Sequence, residues 1–156
     1  MAVITLKSTQ LTEGARNYPI DHLGKLRLAY FDAVNDTGAA GDANSYVHLC
    51  NIPYGRIRIL PRLAFLATSA FGAARTLDVG FLAYTDSDGA AVAEQIDALI
   101  DGADVAAAGS KAFTDVAVSG KWDIFSKRGV TIAAKVLGGT IPVNATIKGY
   151  IPFVAE

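Results

Sequence analysis

Cysteine is all but missing from this chain. Cys50 is the only one in 156 residues, which excludes an internal disulfide and any cysteine-based zinc site. A lone thiol of this kind is expected to pack as a small apolar side chain rather than to act as a nucleophile. Histidine is nearly as scarce. His22 and His48 are the only two, and neither a His-x-His nor a His-Glu-x-x-His spacing connects them to a metal ion. No Gly-x-Ser-x-Gly elbow and no Gly-Lys-Ser/Thr phosphate loop occurs. Long apolar runs are absent too. Even the stretch from Leu60 to Ala74 is interrupted by Arg62, well short of the roughly 18–20 apolar residues a membrane helix requires. The opening Met-Ala-Val-Ile-Thr-Leu-Lys has no basic region followed by a long apolar core, so no secretory leader is expected. Neither sign of charge dominates: 14 Lys and Arg stand against 15 Asp and Glu, unlike the strong basic excess of a nucleic-acid binder. No repeat with a period of roughly 20–50 residues appears, which argues against a solenoid or propeller. With metal, phosphate-loop and triad signatures missing, the chemistry left to this chain is that of its surfaces.

What is present is apolar and alternating. Hydrophobic residues make up 51% of the chain and the mean hydropathy is +0.31, with much of the excess in alanine. The length suits one domain with its own core. Residues 1–24 hold little sustained alternation, and Asn17-Tyr18-Pro19 breaks the chain because proline forces its predecessor into an extended conformation. They read as an extended N-terminal arm with one short strand at Val3–Leu6, followed by a body over 25–156. From Lys25 the period becomes two, placing Leu26, Leu28 and Tyr30 on one face of a strand. Tyr46–Ile52 is a second strand. The clearest alternation follows, with Ile57, Ile59, Leu63 and Phe65 on one parity and Arg56, Arg58 and Arg62 on the other, interrupted by Pro61 as at an edge or bulge. Leu77, Val79 and Phe81 give another strand. Thr114–Val118 and Lys121–Ser126 are short ones. Val130–Val136 and Thr146–Val154, joined through Gly138-Gly139, are expected to form an antiparallel hairpin. One helix is predicted, because Val92, Ile96, Leu99 and Ile100 follow helical spacing, with Asp88 to cap it and Gly102 to end it. The sum is an all-β fold, an antiparallel β-sandwich or jelly roll with one short helix and an extended N-terminal arm.

Charge is unevenly distributed along this pattern. Between Asp78 and Asp104 every charged residue is acidic, whereas Arg56, Arg58 and Arg62 precede that segment and Lys121, Lys127, Arg128, Lys135 and Lys148 follow it. Two readings stay open: an ordinary solvated surface of mixed charge, or two oppositely charged faces that meet neighbouring subunits. Asp86-Ser87-Asp88-Gly89 has part of a calcium-loop pattern, but Gln95 stands where the closing glutamate belongs and a third odd-position ligand before the glycine is missing, so it reads as a polar turn. No metal or cofactor is expected.

Several short segments, spread in order over most of the chain, resemble a group of small tailed-bacteriophage head proteins. They are the opening Met-Ala-Val-Ile-Thr-Leu-Lys-Ser-Thr, Gly24-Lys25-Leu26-Arg27, the Gly41-Asp42 turn before Ser45-Tyr46, and Leu77-Asp78-Val79-Gly80-Phe81 with the polar turn after it. The expected terminal hairpin through Gly138-Gly139 fits as well, while the Arg-rich, Pro-containing stretch at 53–62 departs from the pattern. These relatives are capsid decoration, or cement, proteins. The resemblance implies a structural virion protein on the outer capsid surface, made in the host cytoplasm. Its partners would be the phage major capsid protein and further copies of itself, as a homodimer or homotrimer, with no nucleic acid, membrane, cofactor or enzymatic step. Val3, Ile4, Thr5 and Leu6 of the arm and Arg56, Arg58 and Arg62 are the expected interface residues. Two other readings compete. One is a jelly-roll carbohydrate- or receptor-binding module of a phage head or tail, with Tyr54 or Trp122 as a stacking platform. The other is a hydrolase in which His22 and His48 converge on one pocket.

Overall fold

A computed structural model describes residues 5–8, 26–38, 40–42, 45–113 and 123–155. The strands among them, in chain order, are β1 (Thr5–Lys7), β2 (Leu26–Val34), β3 (Tyr46–Ile52), β4 (Gly55–Ile59), β5 (Phe65–Thr68), β6 (Thr76–Phe81), β7 (Tyr84–Thr85), β8 (Ala91–Val92), β9 (Gln95–Asp104), β10 (Gly109–Lys111), β11 (Asp123–Ser126), β12 (Val130–Leu137) and β13 (Thr146–Ala155). They form a β-sandwich. The first sheet runs β1-β3-β12-β6-β9. In the second, β13 is the spine: β2 covers one of its edges, β5 and β4 share the other in succession, and β10 and β11 flank those two. All pairings are antiparallel except β1 with β3.

The core lies between the sheets. Ile57, Ile59, Leu66, Ile147, Ile151 and Phe153 face inward from the second sheet, against Val47, Leu77, Val79, Leu99, Ile132 and Val136 of the first, and all of these are essentially inaccessible. Removing the apolar side chains of such a layer from water is the main stabilising term, about 1.5–3 kcal/mol for each large one. Asn35, fully buried at the end of β2, holds the chain where it crosses between sheets: its amide donates to the carbonyls of Ile141 and Pro142 at 3.2 and 2.9 Å, and its carbonyl accepts from the Thr37 hydroxyl at 2.8 Å.

Three expectations are corrected. The predicted helix over 92–101 is extended chain, mainly β9. Its pairing with β6 slips twice, since Val79 opposes Ile100 while Phe81 opposes Gln95. Extra residues in a bulged strand break the period of two, and Ala98, Leu99 and Ile100 are all buried in a row. That spacing imitates a helical stripe. The one helical element among the described residues is a 3-10 turn at Pro61–Leu63. This turn causes the second correction. It resets the phase between β4 and β5, so Leu63 and Phe65 are exposed, while Ile57 and Ile59 before it and Leu66 and Thr68 after it point inward. On β2, Leu26, Leu28 and Tyr30 share a face as expected; it is the outer one, and Ala29, Phe31 and Ala33 fill the inner face. Both parities of that strand are apolar, so alternation alone does not choose the buried side. Third, β12 and β13 do not pair. They belong to opposite sheets, and residues 138–145 carry the chain across, bridged at Ile141 to Gly41. The expected strand at Thr114–Val118 lies outside the described residues.

Candidate functional site

The outer face of the second sheet is built from alternate residues of five strands. β2 contributes Leu26, Leu28, Tyr30, Asp32 and Val34, and β13 contributes Lys148, Tyr150 and Val154. β5 adds Phe65, β4 adds Arg56 and Arg58, and β11 adds Asp123 and Phe125. Register sets the neighbours. Tyr150 lies opposite Tyr30 on one side and Phe65 on the other. The three rings form a row across the sheet, with centroids 5.9 Å apart in edge contact and 6.0 Å apart in a stacked pair. Gly149 beside them has no side chain to spare. A Cβ there would lie 2.0 Å from the Phe65 carbonyl oxygen and 2.9 Å from the Phe31 ring, so glycine is what lets β5 lie against β13 at the aromatic row.

Beyond the row, toward the C-terminal end of β13, the face becomes charged. Arg58 grips Asp123 in a two-pronged pair, Nε to Oδ1 at 2.8 Å and Nη2 to Oδ2 at 3.1 Å. Hydrogen bonding from Arg58 outweighs the effect of desolvation, and together with the charges of Arg58 and Arg56 it holds the Asp123 carboxyl below its usual range. The Arg56 guanidinium sits 5.1 Å from the centroid of the Phe125 ring, in cation-π contact. At the other end Lys148 pairs with Asp32 at 3.3 Å. Arg62 is exposed on the 3-10 turn that follows β4.

Five of the nine large apolar side chains that are exposed among the described residues lie on this face, namely Leu26, Tyr30, Val34, Phe65 and Phe125. The outer face of the first sheet is different. There the Tyr46 hydroxyl donates to Glu94 Oε1 at 3.0 Å, Lys135 lies 5.2 Å from the centroid of the Tyr46 ring, and the Thr131 hydroxyl donates to Asn51 Oδ1 at 2.8 Å. Asp78 accepts the Gly102 N–H at 2.8 Å. Desolvation, reinforced by Asp101 and Asp97, raises its pKa against the opposing effects of that hydrogen bond and of Lys135. One outer face is thus a polar network and the other an apolar, aromatic surface carrying two ion pairs and one cation-π contact.

The expected interface residues fall in two places. Arg56 and Arg58 lie on β4 at one side of the aromatic face, and Arg62 is exposed on the 3-10 turn that follows that strand. Thr5 is exposed on β1, but Leu6 is buried in the chain's own core, and β1 is tied to β3 by the Ser8 hydroxyl donating to the Leu49 carbonyl. Val3 and Ile4 lie outside the described residues, as do His22 and Trp122. His48 is half-buried, and its pKa is lowered by burial and then by the charge of Lys7. Burial pushes the Cys50 thiol up to about 12, so it is a packed thiol and not a thiolate. Among the described residues no group of three His, Cys, Asp or Glu side chains is placed to hold a metal ion. Sequence reasoning missed Phe65 and Tyr30 as surface groups. The usable signals were Pro61, which can shift the phase of whatever follows it, and the apolar residues on both parities of β2.

No family model matches this chain, and no curated protein matches it. Its fold is similar to that of a chain in the capsid of Ralstonia phage GP4, with a TM-score of 0.70 and 22% identity over 98% of this chain and 99% of the other. It is also similar to a chain in the capsid asymmetric unit of cyanophage Pam1, with a TM-score of 0.57 and 12% identity over 92% and 96%.

Proposed function

We propose that this chain is a structural virion protein that binds the outer surface of a phage capsid and stabilises the shell by bridging neighbouring major capsid subunits, with no catalytic step of its own. The observation that carries the reading is the outer face of the second sheet. It exposes an aromatic row and flanking aliphatics that the chain's own core does not use, and contiguous apolar surface of this kind marks a contact site. Four of its charges are matched within the face as Arg58 with Asp123 and Lys148 with Asp32, and Arg56 rests against the Phe125 ring. A partner can therefore cover them without leaving a lone charge out of water, the costly outcome. Large aromatic side chains and arginine are the residue types that concentrate binding energy in interfaces. The fold likeness to two capsid chains supplies the setting.

In this reading the protein is made in the host cytoplasm and joins the shell as a dimer or trimer. Arg56 and Arg58 add contacts beside the aromatic row, and Arg62 and the N-terminal residues Val3, Ile4 and Thr5 add further ones. Each bound copy contributes modestly, because association entropy offsets much of the roughly 25 cal/mol per Å² of apolar burial. Many copies acting on one shell multiply the effect.

The test is occupancy of purified particles of the encoding phage. Tyr150→Asp puts a charge in the middle of the row without touching the core. It is expected to lower copy number per particle by about tenfold or more, with the thermal unfolding of the free protein little changed. Particles that lack the wild-type chain, or that hold the variant at full occupancy, would sink the reading.

A further inference from the structure

We propose that the cleft at one end of the sandwich, between the β3–β4 turn and the β11–β12 turn, is a binding site for a single acidic sugar ring. The cleft encloses about 240 Å³, and Asn51, Tyr54, Arg128, Gly129 and Thr131 are among the residues that line it. Tyr54 is 74% exposed, the highest value of any large apolar side chain among the described residues. It adds nothing to the core and stands out from its turn as a flat ring. Such a ring offers its face to the C–H side of a pyranose while its hydroxyl remains in water.

The surrounding turns are fixed before any ligand arrives. Gly129 has φ +89°, and a Cβ on it would lie 2.6 Å from the Ile52 carbonyl oxygen, so the second turn is pressed directly onto the end of β3. The Ser126 hydroxyl donates to the Gly129 carbonyl at 2.8 Å and accepts the Arg128 N–H at 3.3 Å. Pro53, which precedes Tyr54 in the turn, is buried. A preformed site loses less entropy on binding.

The polar groups set the ligand class. Thr131 and Asn51, joined at 2.8 Å, bring a hydroxyl oxygen and an amide N–H₂ to the rim, groups that match sugar hydroxyls. Arg128 brings a guanidinium, and no carboxylate is among the described residues that line the cleft, so the ring it fits best carries a carboxylate, as a uronic acid does. The volume falls below the roughly 300–1,000 Å³ of enclosed ligand pockets, which fits one ring held weakly. The use of such weak sites, many on one particle engaging a surface polysaccharide by avidity, rests on the virion reading. The affinity of the cleft for a sugar does not.

The experiment is a titration of the ¹⁵N-labelled full chain with sodium glucuronate, followed by amide shifts, with glucose and sodium acetate as separate arms. Saturable shifts at Tyr54, Arg128, Gly129 and Thr131 are expected with glucuronate, weaker ones with glucose and none with acetate. Tyr54→Ala and Arg128→Gln should each weaken binding by about tenfold or more and leave unfolding unchanged, because both side chains are exposed. Absence of saturable shifts with glucuronate overturns the proposal, as does an equal response to acetate, which would mean a plain anion site. Equal binding of glucose would overturn the acidic class. Tyr54→Ala virions are expected to carry the protein at wild-type copy number, so loss of sugar binding and loss of shell binding are separable.

Discussion

Two aspartates show how the surroundings of a side chain decide what its charge does. Asp123 is held ionised chiefly by its hydrogen bonds from Arg58, and its folded pKa is depressed. Its contribution to stability is therefore present above the ordinary carboxylate pKa and disappears as pH falls through the lowered value. Because both partners are largely solvated, Asp123→Asn should change stability by no more than a few tenths of a kcal/mol at neutral pH, as urea unfolding would read. Asp78 has the opposite sign. Its folded pKa is raised, first by desolvation, so the folded protein takes up its proton more readily than the unfolded chain. The charged form costs stability at neutral pH, and that cost is relieved as pH falls through the raised value. Asp78→Asn keeps an oxygen to accept the Gly102 N–H and removes the charge. The variant should be at least as stable as wild type at pH 7, with the difference shrinking toward pH 4. Paired urea titrations would check both statements, and a variant less stable at pH 7 would contradict them. Gly80 is constrained for another reason. A Cβ there would stand 2.0 Å from the Gln95 carbonyl oxygen, so Gly80→Ala should cost about 1–3 kcal/mol by pushing β9 away from β6.

Elements were legible where one parity is polar and opaque where it is not. In β4, Arg56 and Arg58 mark the solvent side without ambiguity, and Ile57 and Ile59 go inward as their spacing requires. In β2 the two sets Leu26, Leu28, Tyr30 and Ala29, Phe31, Ala33 are both apolar, and only packing against the other sheet decides between them. β9 defeats a periodic reading because pairing slips are set by the partner strand, and nothing local to Gln95–Asp104 announces them. The surface use of Phe65 was hidden by a three-residue turn that shifts the phase. The aromatic row itself is a matter of register across three strands distant in sequence, which no single segment encodes. β1 carries a practical consequence. Leu6 is 6% exposed, so removing residues 2–20 strips an edge from the first sheet and opens the core. Leu6→Ala alone should cost about 2 kcal/mol, measured by the urea midpoint. Loss of particle binding after that truncation would therefore report on folding as well as on contact.

At the scale of the whole molecule the sandwich is two-sided in chemistry, a polar network on one outer face and an aromatic surface on the other. If adhesion works through the aromatic face, where four charges are already matched in two pairs, attachment to particles should depend little on ionic strength. Raising salt from about 0.1 M to about 0.5 M shortens the screening length roughly twofold, yet bound copy number should fall by less than half. Co-sedimentation with particles measures this, and steep loss of the protein over that range would point instead to Arg62 and other exposed charges as the main hold.

The spine of the second sheet is made after the strands it joins. β2, β4 and β5 all pair with β13, so as the polypeptide leaves the ribosome these three strands wait without their shared neighbour until residue 155 is free. At roughly 5–20 residues per second the wait for β2 lasts many seconds, with Leu26, Tyr30 and Phe31 all in reach of other nascent chains. A protein wired this way gains from a chaperone that shields its early strands, and stalling translation just before Thr146 should send it to aggregates and not to a partly folded intermediate.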